Sequence, residues 1–314
     1  MTSLQDCAVS TYVYIGRPLA EAIELLAAEG WKHIEIMCEG RHGELLEWTA
    51  GQLASLASKG KELGIRWSIH APITGCNPAA ADGQRRAEAE TLLLDTLRAA
   101  EALGCSYVVL HAGELSAADT EAAPLLEAAG ARGASAGLRE AAGARGASAG
   151  LREAAKARVV RFLQRILTET AGSAAVIALE NVPPYPGLLG TEVTELLELA
   201  ARVDSSRIGL VFDSGHALMA GRDRCLLMLQ QAMPRLVALH LSDNAAEQDE
   251  HLGLGQGKLP LEAMLAGLAA GGFHGAWVLE LRHPGDLLPS AAKLHHLRKQ
   301  YQAVYGIEPV PGIR

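Results

Sequence analysis

Cysteine pairs, membrane-length apolar runs and a secretory leader are all missing from this sequence. Its five cysteines are scattered, odd in number and without a Cys-x-x-Cys pair, which predicts neither a disulfide framework nor a thiolate zinc site and suits a reducing compartment. No run approaches the roughly 18 apolar residues of a membrane helix, and the opening MTSLQDCAVS lacks the basic and then apolar profile of a signal peptide. We therefore expect a cytoplasmic protein that makes no membrane contact.

Basic and aromatic residues are also scarce. Lys and Arg total 28 against 36 for Asp and Glu, which gives a net charge of −8, and no long basic block occurs. A protein that grips a polyanion normally supplies a Lys or Arg for each phosphate contact, so these totals disfavour a nucleic-acid partner and leave only a local basic groove open. Aromatic residues make up 4% of the chain. Few rings are therefore available to stack on a substrate, and Tyr14 is one that lies near a predicted strand end.

No nucleotide-binding glycine loop is found either. The stretch GLGQGK (residues 253–258) has a glycine spacing that differs from Gly-x-x-x-x-Gly-Lys-Ser/Thr, and Leu259 stands where a hydroxyl would bind Mg²⁺. A doubly wound open sheet would normally carry such a loop after an early strand, so that fold is disfavoured. We expect these glycines to form a tight turn instead.

One segment differs from the rest of the chain. Residues 127–139, EAAGARGASAGLR, recur without change as residues 140–152. A unit with a single Leu lacks the apolar face that stacked solenoid repeats need, and such identity indicates a recent tandem duplication. We predict a mobile surface insertion between strand 4 and helix 4, and we assign it no chemistry.

The remainder alternates short β-branched runs with longer Ala- and Leu-rich amphipathic runs. The β-branched runs predict strands at residues 10–15, 33–37, 65–70, 106–111, 174–180, 208–213, 236–241 and 276–281. Several of the helical runs between them end in Gly, as helix C-termini favour. Eight such units with nearly continuous apolar strands predict an α/β fold, a single (β/α)8 TIM barrel over residues 1–314.

Residue types that bind metals end six consecutive predicted strands. In chain order they are His70, His111, Glu180, Asp213 with His216 shortly after it, His240 and Glu280. Chemistry in such barrels lies at the carboxyl ends of the strands, and ionisable groups at an apolar mouth are costly unless they pair or bind cations. Carboxylates mixed with imidazoles suit a transition-metal ion better than Ca²⁺. The sequence therefore predicts a metal centre, and Asp249 and His251 are expected to point to one side of an extended segment as a further pair.

The motifs at these positions are more specific than the residue types. His-Ala-Pro follows strand 3, His-x-Gly strand 4, Leu-Glu-Asn strand 5 and Phe-Asp-x-x-His strand 6; His-x-x-Asp-Asn and Asp-x-His-x-x-x-Gly-x-Gly follow strand 7, and Glu ends strand 8. In this order they resemble the xylose isomerase-like TIM-barrel superfamily over essentially the whole chain except the duplication. That superfamily includes metal-dependent sugar and sugar-phosphate isomerases and epimerases, and also apurinic-site endonucleases of the endonuclease IV type.

The resemblance to the sugar branch implies one divalent metal ion, Mn, Zn, Co or Mg, that stabilises an enediolate while carboxylates transfer a proton. By resemblance the metal ligands are Glu180, Asp213, His240 and Glu280. Glu180 and Glu280 are then the acid/base pair, and His216 is a ligand of a substrate oxygen or a proton relay. Candidate substrate-binding residues are Arg282, Asn181 and Tyr14.

The resemblance to the endonuclease branch implies up to three zinc ions that cleave a phosphodiester. The additional ligands would be His70, His111, His216, Asp249 and His251, with Glu180 shared between two metals. We favour the sugar branch and a small-molecule carbohydrate, because the charge balance is acidic and ITGCNPAAADGQRR after His70 lacks the Tyr-x-x-Asn-Leu of endonuclease-like members.

Two departures leave the particular sugar open. Ser242, Asp243 and Asn244 follow His240 where ketose 3-epimerase-like members tend to place an arginine, and Pro186 stands where those members tend to have an acidic residue. The metal, the phosphorylation state of the substrate and a homo-oligomeric assembly are equally open at this point.

Overall fold

Eight parallel strands close into a barrel in which each strand pairs with its sequence neighbours and the last pairs with the first. The structure, a computed structural model, describes residue 4, residues 7–115 and residues 136–305. The predicted (β/α)8 TIM barrel is confirmed. Its strands are β1 (Ala8–Ser10), β2 (His33–Met37), β3 (Arg66–His70), β4 (Tyr107–His111), β5 (Val176–Glu180), β6 (Ile208–Asp213), β7 (Leu236–Leu241) and β8 (Ala276–Leu279).

Helices surround the barrel, and their sequences carry recognisable start and stop signals. Thr49 begins the second helix with a capping box to Gln52, and Gly64, at φ +65°, ends it. The described α-helices are α1 (Leu19–Glu29), α2 (Ala50–Leu63), α3 (Gly83–Leu103), α4 (Ala136–Glu169), α5 (Val193–Val203), α6 (Ser214–Leu218), α7 (Arg222–Ala232), α8 (Leu261–Ala270) and α9 (Leu287–Tyr305); 3-10 turns span Thr11–Tyr14, Gly40–Glu47, Met233–Arg235 and Pro284–Asp286. Among the described residues, no helix has the length and apolarity needed to cross a membrane.

The first strand differs from its prediction. STYVYI was predicted as a strand over residues 10–15, but β1 is Ala8–Ser10 and the next four residues form a 3-10 turn. The hydroxyl of Ser10 accepts a hydrogen bond from the Tyr12 amide at 3.2 Å and caps that turn. Local capping therefore overrides the high strand propensity of the Thr, Tyr and Val side chains.

The duplicated segment is helical where the structure describes it. Helix α4 begins at Ala136, inside the first copy, and continues through the second copy to Glu169. The Ala, Leu, Glu and Arg of the unit are strong helix formers. At the end of the second copy, the Arg152 guanidinium lies 2.7 Å from the Glu195 carboxylate on α5. Residues 127–135 lie outside the described residues, and the mobility of the segment stays a prediction.

The apolar core has an outer and an inner part. The outer part fills the space between the strands and the helices. The inner part comprises Tyr107, Val109, Ala178, Val211 and Ala238, and the last four each lie two positions before a strand-ending site residue on the same strand face. The inner part therefore forms the floor beneath the mouth of the barrel.

A bulge aligns the strands that end in the site. The register between β6 and β7 shifts at Leu210 and Val211, and beyond it Asp213 pairs with His240. A Cβ at Gly209 would lie 2.7 Å from Val237 Cγ1, so glycine provides the room for the extra β7 residue. The bulge thereby places an aspartate and a histidine side by side at the mouth.

Candidate metal centre

Glu180, at the end of β5, lies at the middle of the side chains that surround the barrel mouth. Its Oε2 lies 2.9 Å from His70 Nε2 and 3.2 Å from His111 Nε2, and its Oε1 lies 2.8 Å from His240 Nδ1. Burial raises the pKa of Glu180, but His240, His111 and His70 outweigh it and hold that pKa well below its usual range. The carboxylate is therefore ionised and uses both oxygens as bridges.

Asp213 and Glu280 lie beside these residues. Together they complete an inner group of six side chains: His70, His111, Glu180, Asp213, His240 and Glu280. Glu280 Oε2 lies 3.1 Å from His240 Nδ1, the nitrogen that Glu180 also contacts. Asp213 Oδ1 accepts a hydrogen bond from the His216 amide at 2.7 Å and caps α6. Burial, with the nearby Glu180 and Glu280 carboxylates, raises the pKa of Asp213 to about 6, although His216 opposes the shift. Several carboxylates thus converge on a site with little solvent.

A second group, the outer group, consists of His216, Asp249 and His251 and lies beside the inner group. Asp249 Oδ2 contacts His216 Nε2 at 3.2 Å and His251 Nε2 at 3.1 Å. Burial lowers the pKa of His251, but Asp249 and Glu280 outweigh burial and raise that pKa to about 9. The side chain of Asp249 is 21% exposed and that of His111 is 17% exposed, whereas Glu180 and His240 are at most 1% exposed. Solvent therefore reaches the centre past His111 and Asp249.

The backbone around the outer group departs from the extended segment that the sequence predicted. His251 has φ +50°, in the left-handed region that non-glycine residues rarely occupy. Its Nδ1 lies 2.9 Å from the Glu280 carbonyl oxygen, and the Asp243–Leu252 pair of backbone hydrogen bonds holds the segment. Asp249 and His251 do point to one side, but a strained turn rather than strand alternation brings them together.

The glycine-rich stretch that follows forms a tight turn as predicted. The carboxylate of Asp243 accepts hydrogen bonds from the amides of Gly255 and Leu259 at 2.9 and 2.8 Å. A Cβ at Gly257 would lie 2.2 Å from the Asn244 carbonyl oxygen, so only glycine fits at this approach. The turn packs the loop closely behind the end of β7.

The donor set fits a divalent transition-metal ion. Among the described residues, groups of three side chains offer ligand atoms within 4.8 Å of one another: His70, His111 and Glu180; Glu180, Asp213 and His240; His216, Asp249 and His251; and Glu35, His240 and Glu280. Asp213 Oδ2, Asp249 Oδ1 and Glu280 Oε2 are buried and have no hydrogen-bond partner in the described chain. Buried carboxylate oxygens without partners are costly unless a cation binds them.

The three candidate substrate-binding residues, Tyr14, Asn181 and Arg282, lie at different places relative to the centre. Tyr14 lies on the 3-10 turn and donates a hydrogen bond to Glu29 at 3.3 Å, so its hydroxyl faces α1 and does not join the cluster. Asn181 is buried, and its amide bonds the backbone of Asp213 in both directions at 2.8 and 3.0 Å. It therefore orients the backbone of Asp213, and its role toward a substrate stays a prediction. Arg282 is exposed, with its guanidinium 3.5 Å from the Asp249 carbonyl oxygen, at the rim of the centre.

Two further residues lie near the centre. The Tyr12 ring lies 4.7 Å from the His251 ring, a position that sequence reasoning missed because residues 10–15 were predicted as a strand. Glu35, in the middle of β2, is fully buried and lies 2.8 Å from His240 Nε2. It does not end a strand, and the carboxylate between two isoleucines is the feature that marks it in the sequence as a group that could orient a ligand or satisfy a hydrogen bond inside the barrel.

A family model described as xylose isomerase-like TIM barrel matches residues 23–300, which include every residue of the inner and outer groups. The chain belongs to this family.

Similar proteins in this family have different names. An uncharacterized protein of Methanocaldococcus jannaschii is 25% identical over 93% of this chain and 88% of its own length. A probable endonuclease 4 of Methanoculleus marisnigri is 26% identical, over 57% of this chain and 58% of that protein. Sequence similarity thus extends to the endonuclease branch, although over little more than half of each chain.

Solved structures match the fold over nearly the whole chain. A D-tagatose 3-epimerase-like protein superimposes with a TM-score of 0.75 at 23% identity, covering 96% of this chain and 98% of that one. The IolI protein with a bound zinc atom gives a TM-score of 0.66 at 20% identity, with 96% and 97% covered. At such identities the likeness establishes the fold.

Proposed function

We propose that this protein is a divalent-metal-dependent isomerase or epimerase of a small sugar or sugar phosphate. The observation that carries the proposal is the placement of two buried carboxylates, Glu180 and Glu280, against the same nitrogen of His240. Two carboxylates that border one site can act as a base and an acid toward the same substrate carbon, one removing a proton and the other returning it. The solved structures with D-tagatose and D-psicose 3-epimerase names support the same reaction class.

Glu180, Asp213, His240 and Glu280 would hold the cation. A bound divalent ion supplies positive charge beside the substrate carbonyl and so acidifies the adjacent C–H bond. The low pKa of Glu180, held down by the neighbouring histidines despite burial, keeps that carboxylate ionised. Glu180 and Glu280 then exchange the proton at the reacting carbon.

The outer group would handle the substrate oxygens. His216 Nε2 and His251 Nε2 both face Asp249, and this trio lies where solvent enters. His216 is suited to hydrogen-bond a substrate hydroxyl and to relay its proton. The Tyr12 ring against His251 would form one apolar wall, and Arg282 at the rim would contact a terminal hydroxyl or phosphate.

A small substrate also agrees with the charge balance of the chain. Lys and Arg total 28 against 36 Asp and Glu, and Arg17, Arg152 and Arg224 are each paired with a glutamate. A protein that binds a polyanion normally supplies a Lys or Arg for each phosphate contact. The acidic balance favours a carbohydrate over a nucleic acid.

The test is solvent exchange on candidate ketoses. The Mn²⁺-loaded protein would be incubated in D₂O with D-fructose, D-tagatose, D-psicose and L-ribulose, with and without a chelator, and deuterium at the carbons next to the carbonyl measured by mass spectrometry. We expect metal-dependent incorporation into at least one ketose or its phosphate. Absence of exchange across sugars and sugar phosphates, with metal demonstrably bound, would falsify the proposal.

A second candidate function, apurinic-site phosphodiester cleavage, is favoured by one specific observation. Three groups of possible ligands, each with ligand atoms within 4.8 Å of one another, lie close together, and Glu180 contacts His70, His111 and His240. Several similar proteins are named probable endonuclease 4. About one metal per chain with ketose exchange supports the first function, whereas about three zincs with cleavage of an abasic-site duplex at ordinary salt supports the second.

A further inference from the structure

The histidines of the metal centre do not all turn the same ring nitrogen toward it. His70, His216 and His251 direct Nδ1 to backbone carbonyl oxygens at distances of 2.7, 2.9 and 2.9 Å, and their Nε2 atoms face carboxylates of the centre. A neutral imidazole has one N–H, and a carbonyl oxygen can only accept it. The main chain therefore fixes Nδ1–H in these three rings and leaves the lone pair on Nε2.

His240 is oriented the other way. Its Nδ1 faces Glu180 and Glu280, so Nε2 points into the barrel interior, where the carbonyl groups of the parallel strands belong to the sheet ladder. An acceptor for Nε2–H must then be a side chain. Glu35 Oε1, on the other side of the barrel, lies 2.8 Å away.

Glu35 is itself held firmly. Its Oε2 accepts hydrogen bonds from Ser68 Oγ and from the Tyr107 hydroxyl, both at 2.9 Å. The Nε2–H of His240 does not point straight at Glu35 Oε1, yet neither atom has a hydrogen-bond partner elsewhere in the described part of the chain. The carboxylate thus has one oxygen fixed by two donors and the other left for His240.

We infer that Glu35 is a positioning residue that keeps the proton of His240 on Nε2 and so presents the Nδ1 lone pair to the metal. A carboxylate suits this role because it only accepts hydrogen bonds and makes the imidazole a stronger ligand. The inference rests on the metal centre of the proposed function, but it does not depend on which reaction the centre performs.

Glu35→Gln tests the inference because an amide has one oxygen only. That oxygen can face either the Ser68 and Tyr107 hydroxyls or His240, and the two donors favour the first arrangement. An NH₂ group then faces Nε2 and favours the wrong tautomer. We expect the Kd for Co²⁺ to rise by about 10–100-fold and the visible absorption bands of bound Co²⁺ to shift.

Tyr107→Phe makes the test sharper because its effect should change sign with the residue at position 35. In the wild-type chain it frees one side of the carboxylate and should weaken Co²⁺ binding several-fold. In the Glu35→Gln chain it removes a competing donor, lets the amide oxygen turn to His240 and should restore part of the affinity. A general loss of packing would lower the affinity in both chains.

His33→Gln is the matched control. His33 lies two residues before Glu35, contacts the same Ser68 at 3.3 Å and should leave Co²⁺ affinity unchanged. If Glu35→Gln binds Co²⁺ with the wild-type Kd and spectrum, the inference is wrong. If that variant does not fold, an unchanged Kd for Co²⁺ in Tyr107→Phe contradicts the inference instead. A wild-type chain that binds no Co²⁺ overturns the metal centre itself, and the inference with it.

Discussion

The two sides of the barrel interior differ in chemistry although the same fold builds both. Strands β2 to β4 contribute Glu35, Ser68 and Tyr107, which form a buried hydrogen-bonded group below the metal centre. Strands β5 to β7 contribute apolar side chains to the inner core, Ala178, Val211 and Ala238. These small apolar side chains leave room for Tyr107 to extend inward to Glu35.

The two sides of the barrel therefore contribute different kinds of residue to the site. The apolar side carries Glu180, Asp213 and His240 at its strand ends, so its lower residues need only pack. From the polar side, Glu35 extends across the interior, and its Oε1 lies 2.8 Å from His240 Nε2. Candidate ligands come from strand ends on both sides, since His70 and His111 end β3 and β4, whereas the carboxylate that faces the far nitrogen of His240 comes from the polar side alone.

The largest effect should follow from a change at the mouth, above both sides. Glu280→Gln removes one of the two carboxylates proposed to transfer the proton and should lower solvent deuterium incorporation into a ketose by about 10²–10⁴-fold. Amide and carboxylate have nearly the same size, so the melting temperature should change little. Exchange at the wild-type rate would remove Glu280 from the acid/base role.

The apolar side should not tolerate a charge. Val211→Asp places a carboxylate on the buried face below the centre without a partner designed for it, and we expect a loss of about 3–5 kcal/mol in the free energy of unfolding. Val211→Ala, the control for lost volume, should cost less. Urea denaturation measures both, and equal losses would mean that charge is no worse than a cavity at this position.

The polar side should make stability depend on pH through His33. Burial, with Arg66 nearby, lowers the pKa of His33 from 6.5 to about 4, although Glu35 opposes the shift. Between these values the unfolded chain binds a proton that the folded chain does not, so this contribution to stability is present above pH 6.5 and is lost as pH falls toward 4.

His33→Gln keeps a hydrogen-bonding group beside Ser68 but cannot titrate. The decline in unfolding free energy from pH 7 to pH 4 should therefore be about 2 kcal/mol smaller in this variant than in the wild type. Parallel pH curves for the two proteins would contradict the assignment.

The smallest effect on stability is expected for Tyr107→Phe. The variant loses the hydrogen bond to Glu35 and keeps the ring, so the free energy of unfolding should fall by about 1 kcal/mol. Thermal unfolding of the metal-free protein is the appropriate measurement. An increase in stability would show that the buried hydroxyl and carboxylate are poorly satisfied in the fold.

Much of the fold and of the inner ligand set could be predicted from the chain. β2, β6 and β7 have the predicted limits, because apolar runs of strand length bounded by turn residues allow few other structures. β1 was misplaced, because the Ser10 cap competes with strand propensity over only four residues. Local competition of this kind is not visible in a propensity pattern.

The backbone around the outer group differs from the sequence prediction. Asp249 and His251 were expected on an extended segment, yet His251 has a left-handed backbone, its Nδ1 faces the Glu280 carbonyl oxygen, and the next residue, Leu252, pairs with Asp243. Asn181, a candidate substrate-binding residue, bonds the backbone of Asp213 in both directions. Both findings depend on neighbours more than 28 residues away or on loop contacts that no sequence spacing encodes.

The sequence by itself determined the barrel and which side chains reach its mouth, because parallel strands that close in order bring all their carboxyl ends to one rim. Only the tertiary structure decided how those side chains are oriented. Closure of the barrel brings Glu35 of β2 to His240 of β7, two residues 205 positions apart in the numbering. That distance across the interior, and hence the nitrogen that His240 presents to a metal, follows from the curvature and register of the whole sheet and from no local pattern.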